Sequence, residues 1–206
     1  MNEQTAERVK EIKRSFRTMM NGVVAQSMRD KGIDYKVNWG ASLPMLKAKA
    51  KEIGQDYDLA IALWKENVRE CKILATLIMP PKEMLREVVD IWMEQTTTVE
   101  MAELASFNLY QHLPFAAEMA YRWIASDRDI YILCGFSVLS RLFMNGQEPN
   151  ERGINEYLDQ LQVALHGDSM AVKKAAMASV MRFADLGIVY QRMAGNALKS
   201  IGMTLF

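Results

Sequence analysis

The chain has 206 residues, half of them apolar and 24% charged, the balance of a globular protein with a sizeable core and the opposite of disorder. Its 25 Lys and Arg offset 25 Asp and Glu, which excludes a uniformly basic nucleic-acid coat, an acidic tail or a polybasic membrane anchor. The longest uncharged stretch, residues 104–117, is interrupted by Gln111, His112 and Pro114 and falls short of the roughly 20 apolar residues of a membrane span.

The opening MNEQTAERVKEIKR has charges where a secretory signal has its apolar segment, so a cytoplasmic location is the expectation. Apolar spacing of three and four predicts a first helix over about 5–30, with Val9, Ile12, Phe16, Met19, Met20 and Val23 on one face and Gly32 as its stop. A loop holding Trp39 and Gly40 leads to Ser42, a suitable N-cap, with Pro44 in the next turn. Further helices are predicted at about 43–53, 57–66, 68–78, 82–94, 98–111, 115–125, 128–144, 151–165, 169–186 and 188–202. Asp56, Ser126, Asn150 and Asp168 read as N-caps, and the joints between helices are short, which favours antiparallel neighbours. The fold class is therefore all-α.

Trp64, Trp92 and Trp123 recur at separations of 28 and 31 residues, each near the end of a helix that precedes a more apolar one. Helix pairs at such spacing predict a right-handed solenoid of antiparallel HEAT-like pairs, an α-α superhelix, although the period is shorter than the ~40 residues usual for HEAT units. The expected organisation is one domain over 1–206, with residues 1–38 as its capping helix and loop. The tryptophans read as packing residues, Trp39 being the one expected to be partly exposed. Cys71 and Cys134 lie in apolar helical runs and read as buried small hydrophobes. The 16 methionines read as core gap-fillers, Met177 and Met181 among them.

One stretch is more specific. Residues 39–78 read WGASLPMLKAKAKEIGQDYDLAIALWKENVRECKILATLI. Gly40, Leu43-Pro44, Leu46-Lys47 and Ala50-Lys51-Glu52-Ile53 resemble the entry of the DNA alkylation repair family typified by AlkD. Leu59-Ala60, Leu63-Trp64, Glu70, Lys72 and Ile73-Leu74-Ala75 continue the likeness, which extends over about 39–201. The resemblance implies an array of HEAT-like helix pairs cradling double-stranded DNA on a concave surface, and release of alkylated purines by glycosidic cleavage.

That family carries its chemistry on a W-D-x-x-D segment, which here is Val99-Glu100-Met101-Ala102-Glu103. The resemblance makes Glu103 the candidate catalytic carboxylate and places Val99 at a tryptophan position. A later family pattern, R-K-A-x-x-W-A, is matched by 173–179, where Ala178 replaces the tryptophan. An arginine pair expected before Ala-Gly-Phe reads Ile132-Leu133 ahead of Cys134-Gly135-Phe136. Excision passes through an oxocarbenium-like centre, which a carboxylate and aromatic faces stabilise. Glu103 brings a carboxylate displaced by ~1 Å relative to aspartate, a misplacement that can cost on the order of a hundredfold in rate. Val99 and Ala178 bring no π face. The alternative role for Glu103 is an exposed helix residue, paired at i,i+3 with Glu100 on a solvated face.

Net charge is unevenly spread: +4 over residues 1–80, −7 over 81–166 and +3 over 167–206. The candidate DNA-binding residues are Lys173, Lys174 and Arg182, with Arg192 and Lys199 near them in sequence. Lys47, Lys49 and Lys51 alternate and fan out on a helix. His112 and His166 stand alone, so neither metal nor cofactor is expected. Two functional readings remain. One is a DNA alkylation repair protein, nominally an alkylpurine DNA glycosylase, whose departures predict weakened or lost activity. The other is a non-catalytic HEAT-repeat scaffold that binds a protein or other partner on its concave face.

Overall fold

The computed structural model describes residues 3–33 and 35–204. Residues 1–2 and 205–206, at the ends of the expected domain, and Asp34 of its expected cap lie outside the described residues. Twelve α-helices and two 3₁₀ turns make up the regular structure there. They divide into two compact units, one ending at Leu109 and the other starting at Tyr110.

The first unit holds α1 (Glu3–Ser15), α2 (Gly22–Asp30), α3 (Leu43–Ile53), α4 (Tyr57–Trp64), α5 (Arg69–Ile78), α6 (Arg86–Glu94) and α7 (Val99–Asn108). Helix α5 is its hub, packing against α3, α4 and α7, while α1 lies on α4. Arg8 pairs with Asp56 and Lys13 with Glu66 across the α1–α4 seam. Trp64 and Trp92 are buried and stacked, with ring centroids 4.1 Å apart and planes 3° from parallel. The expected core tryptophans are thus in the core, and Trp39 is half-buried as expected.

The single first helix expected over 5–30 is two. Val9, Ile12 and Phe16 are buried, but Met20 and Val23 are 59% and 82% exposed. The chain breaks because Asn21 donates its N–H to the Trp39 carbonyl at 2.9 Å, while its side chain caps α2 at Val24. Gly40 makes that approach feasible. Its φ is +71°, and a Cβ there would stand 2.2 Å from the Asn21 carbonyl oxygen. Helix α6 also starts later than expected, because Met84 and Leu85 sit in a non-helical segment after the Pro80-Pro81 joint.

The second unit holds α8 (Ala116–Ile124), α9 (Asp129–Met144), α10 (Glu151–His166), α11 (Met170–Ala184) and α12 (Ile188–Ser200). Helices α9 and α11 lie side by side as one layer, and α10 contacts both α8 and α12 in the other. This two-row stacking of sequential helix pairs is what the tryptophan spacing implied. Tyr157 anchors the core among Phe136, Phe143 and Phe183, at centroid distances of 5.0–6.0 Å, and donates its hydroxyl to Ser179 at 3.0 Å. At Gly135 a Cβ would meet Ile124 Cγ2 at 2.6 Å and the Ala120 carbonyl oxygen at 2.8 Å, so α8 and α9 touch backbone to backbone.

Asp56 and Asn150 cap their helices as expected. The other two do not: Arg128 occupies the cap position of α9, two residues beyond Ser126, and Ser169 that of α11, one beyond Asp168. Cys71 and Cys134 are buried thiols, as expected. Met181 is a correction: it is 42% exposed, because the apolar period of α11 continues past the strip covered by α9.

Candidate functional site

Helix α7 starts at a threonine run. Thr98 is its N-cap and accepts a hydrogen bond from the Met101 N–H at 3.2 Å. Met101, Ala102, Ala105 and Ser106 turn inward, leaving Val99, Glu103 and Phe107 at i, i+4 and i+8 on one exposed strip. Val99 is 40% and Phe107 41% exposed, and the Lys47 ammonium sits 5.1 Å from the Phe107 ring centroid. Glu103 is therefore a surface carboxylate. No tryptophan stands one turn before it.

Glu100 departs from the expected acidic pair on a solvated face. It turns inward and is gripped by Arg69, which donates Nη2–H to Oε1 at 2.6 Å and Nε–H to Oε2 at 3.0 Å. Arg69, only 4% exposed, also donates to Glu70 at 3.1 Å and to the Ala41 carbonyl at 3.0 Å. Glu70 is fully buried and accepts the backbone N–H groups of Trp39 and Ala41. Burial alone would lower the Arg69 pKa, but its hydrogen bonds and charge pairing with Glu100 and Glu70 outweigh this and raise it. Tyr35 closes the cluster with its hydroxyl 2.8 Å from Thr98 Oγ1 and 3.1 Å from Glu100 Oε2. Burial, opposed by the Thr98 hydrogen bond, holds that phenol well above its ordinary pKa. The cluster ties the 35–41 loop to α5 and α7 and is fixed charge, not reactive charge.

In the second unit, Lys174, Ala178 and Arg182 follow one another at i, i+4 and i+8 on the exposed strip of α11, and Lys173 is half-buried beside them. Arg182 pairs with Asp185 at 3.0 Å. Two of the candidate DNA-binding side chains thus share one strip, with Ala178 between them. Ile132 is half-buried and Leu133 buried, so neither guanidinium nor ammonium stands at those positions. Lys49 reaches Glu52 at 3.0 Å while Lys47 and Lys51 are exposed, the fanned arrangement expected of that helix. His112 is exposed, and the His166 ring nitrogen lies 2.9 Å from the Gln162 carbonyl. Among the described residues no group of three or more His, Cys, Asp or Glu is placed to hold a metal. No helix there is long and apolar enough to cross a membrane.

One feature escaped the sequence reading. A cleft of about 590 Å³ in the first unit is lined by Lys36, Lys65 and Lys72 together with Trp64, Asn67 and Gln95. Lys72 stands over Trp64, its Nζ 4.6 Å from the ring centroid, and Trp64 donates Nε1–H to Gln95 Oε1 at 2.8 Å. These lysines come from a loop, the end of α4 and the first turn of α5, so no local motif unites them. The nearest signal was the pairing of Lys72 with Trp64, eight residues before it.

Sequential helix pairs stacked in this way are a HEAT-like repeat architecture. A family model, DNA alkylation repair enzyme, matches residues 12–182, and the chain belongs to that family. A solved structure superposes with a TM-score of 0.84 at 18% identity, over 95% of this chain and 84% of the other. That structure is described as a new family of proteins related to the HEAT-like repeat DNA glycosylases with affinity for branched DNA structures. The likeness shows the fold, the HEAT-like helix array expected from the sequence. No curated protein gives a significant match.

Proposed function

We propose that this protein is a DNA-binding member of the alkylation repair family that holds branched DNA without excising bases, in the cytoplasm. The observation that carries the reading is the state of the family's chemical positions. Glu103 is an exposed carboxylate, and Val99 and Ala178, both exposed, put no aromatic face where the family has tryptophan. An exposed carboxylate at high dielectric stabilises a developing sugar cation weakly, and neither of the family's two tryptophan positions supplies a π face for the base. Affinity for branched DNA in the structurally similar protein supports DNA as the ligand once excision is set aside.

The test uses the purified full chain. Fluorescence anisotropy compares a labelled four-way junction with a linear duplex of equal length, and methylated DNA is assayed for released 3-methyl and 7-methyl purines. Preferential junction binding with no purine release is expected. Release that disappears in Glu103→Gln would instead make the protein a glycosylase. Absence of any DNA binding would favour the scaffold reading, a concave face that takes a protein partner.

A further inference from the structure

The Lys36–Lys65–Lys72 cleft has a charge character that its surroundings do not explain. Its lining contains three ammonium groups and no Asp or Glu. None of the three lysines forms an ion pair among the described residues, whereas Lys13 and Lys49 each have a carboxylate partner. Lys72 is half-buried, and its polar neighbour is the Gln95 carbonyl at 3.5 Å, too long for a full hydrogen bond. Burial lowers its pKa below the ordinary lysine value. A half-buried ammonium with no counter-charge beside it is partly desolvated, a cost that an arriving anion relieves. The nearby carboxylates of Glu70 and Glu100 are already occupied by Arg69 and by backbone N–H groups.

The shape of the cleft selects among anions. Trp64 offers no free face to a base, because Trp92 covers one side of the ring and Lys72 the other. What the wall offers is ammonium, plus amide and hydroxyl donors from Asn67, Gln95 and Thr97. That is the chemistry that recognises phosphate oxygens and ignores base identity. Three cations on three separate elements suit successive phosphates of one strand better than a single compact anion.

We propose that this cleft grips the phosphodiester backbone of a DNA strand, with Lys36, Lys65 and Lys72 each neutralising a phosphate. The proposal rests on the DNA-binding reading above and gives it a place in the first unit, outside the candidate residues Lys173, Lys174 and Arg182. Contact there is independent of sequence and strongly salt-dependent.

The experiment measures affinity of the full chain for a labelled four-way junction across a salt series. Wild type is compared with Lys36→Gln, Lys65→Gln, Lys72→Gln, the triple variant, and Lys72→Arg, which keeps charge over Trp64. Each lost phosphate contact removes about 0.7–0.9 from the slope of log K against log salt, so the triple variant should lose about 2–3. Its affinity at low salt should fall on the order of tenfold to a hundredfold, equally for unrelated sequences. Lys72→Arg should keep the wild-type slope, and the exposed Lys36 and Lys65 variants should keep the wild-type melting temperature. A triple variant that binds the junction with the wild-type slope overturns the cleft while leaving DNA binding intact. A wild type that binds no DNA brings down both readings. Displacement of the junction by micromolar inorganic pyrophosphate at constant ionic strength would make the cleft a small-anion pocket and overturn the strand assignment.

Discussion

Arg69 and Glu100 meet end to end between two helices, the guanidinium presenting Nη2 and Nε to the two carboxylate oxygens at 2.6 and 3.0 Å. With Arg69 4% exposed and Glu70 wholly buried beside it, the pair cannot lose one member without stranding the other. Glu100→Ala leaves the buried guanidinium with only Glu70 and the Ala41 carbonyl, its Nε and Nη2 donors unmet, and is expected to cost about 3 kcal/mol of unfolding free energy. Denaturant melts of Glu100→Ala against Glu100→Gln check it, because the glutamine oxygen still accepts from Arg69 and recovers part of that loss. A loss below about 1 kcal/mol in the alanine variant would mean that the pair is solvent-screened.

Glu103, four residues from the tryptophan position, behaves oppositely. It is exposed, and exposed substitutions fall within about 0.5 kcal/mol of wild type. Glu103→Gln is expected to leave the thermal midpoint and junction affinity unchanged. Differential scanning calorimetry and anisotropy on the same preparation read both, and a tenfold change in affinity would give Glu103 a direct role at the DNA.

Two glycines are held by close approach. Gly40→Ala would set a methyl against the Asn21 carbonyl with φ at +71°, combining backbone strain with a steric clash. A loss of about 1–3 kcal/mol is expected, with hydrogen exchange accelerating in α2 first, since the Asn21–Trp39 bond sets its start. Gly135→Ala pushes α8 from α9 and is expected to destabilise the second unit by a similar amount. Unchanged melting curves would show that the backbones part easily.

Alkaline pH should destabilise the fold. Burial pushes the Cys71 thiol up to about 12, with the Glu66 charge adding to it. Unfolded, the thiol releases its proton near pH 8.5. Between these values the native state holds the extra proton, so stability falls as pH rises from about 8.5 towards 12. Half-buried Tyr35 and buried Tyr110 and Tyr157 are shifted upward as well and add the same sign above about pH 10. Lys72, shifted down by burial, contributes the opposite sign and offsets part of the decline. Unfolding followed at several pH values, with Cys71→Ala as the comparison, should show a shallower decline in the variant. In native protein near neutral pH, Cys71 should resist alkylation.

Most helices were legible because glycine and proline fall between periodic runs, so the 43–53, 57–66 and 128–144 segments are close to α3, α4 and α9. What stayed hidden is long-range. Apolar spacing runs unbroken through Met20, and only the carbonyl of Trp39, 18 residues after Asn21, shows why the helix breaks there. Glu100 looks like half of an acidic surface pair until Arg69, 31 residues earlier, is placed beside it. The exposure of Glu103 was legible through its segment, since it follows Val99 by one turn on the same exposed strip. The three-lysine cleft was not, because charge summed along the chain says nothing about which loops meet.

The parallel indoles of Trp64 and Trp92 give the first unit an optical identity. Two chromophores 4.1 Å apart couple their transitions, whereas Trp123, the sole tryptophan of the second unit, has no indole partner within that unit. The indole–indole part of the far-ultraviolet dichroism should therefore come chiefly from the α4–α6 contact. Because Lys72 rests on the outer face of that pair, the same signal should register when DNA arrives at the cleft, with no label attached.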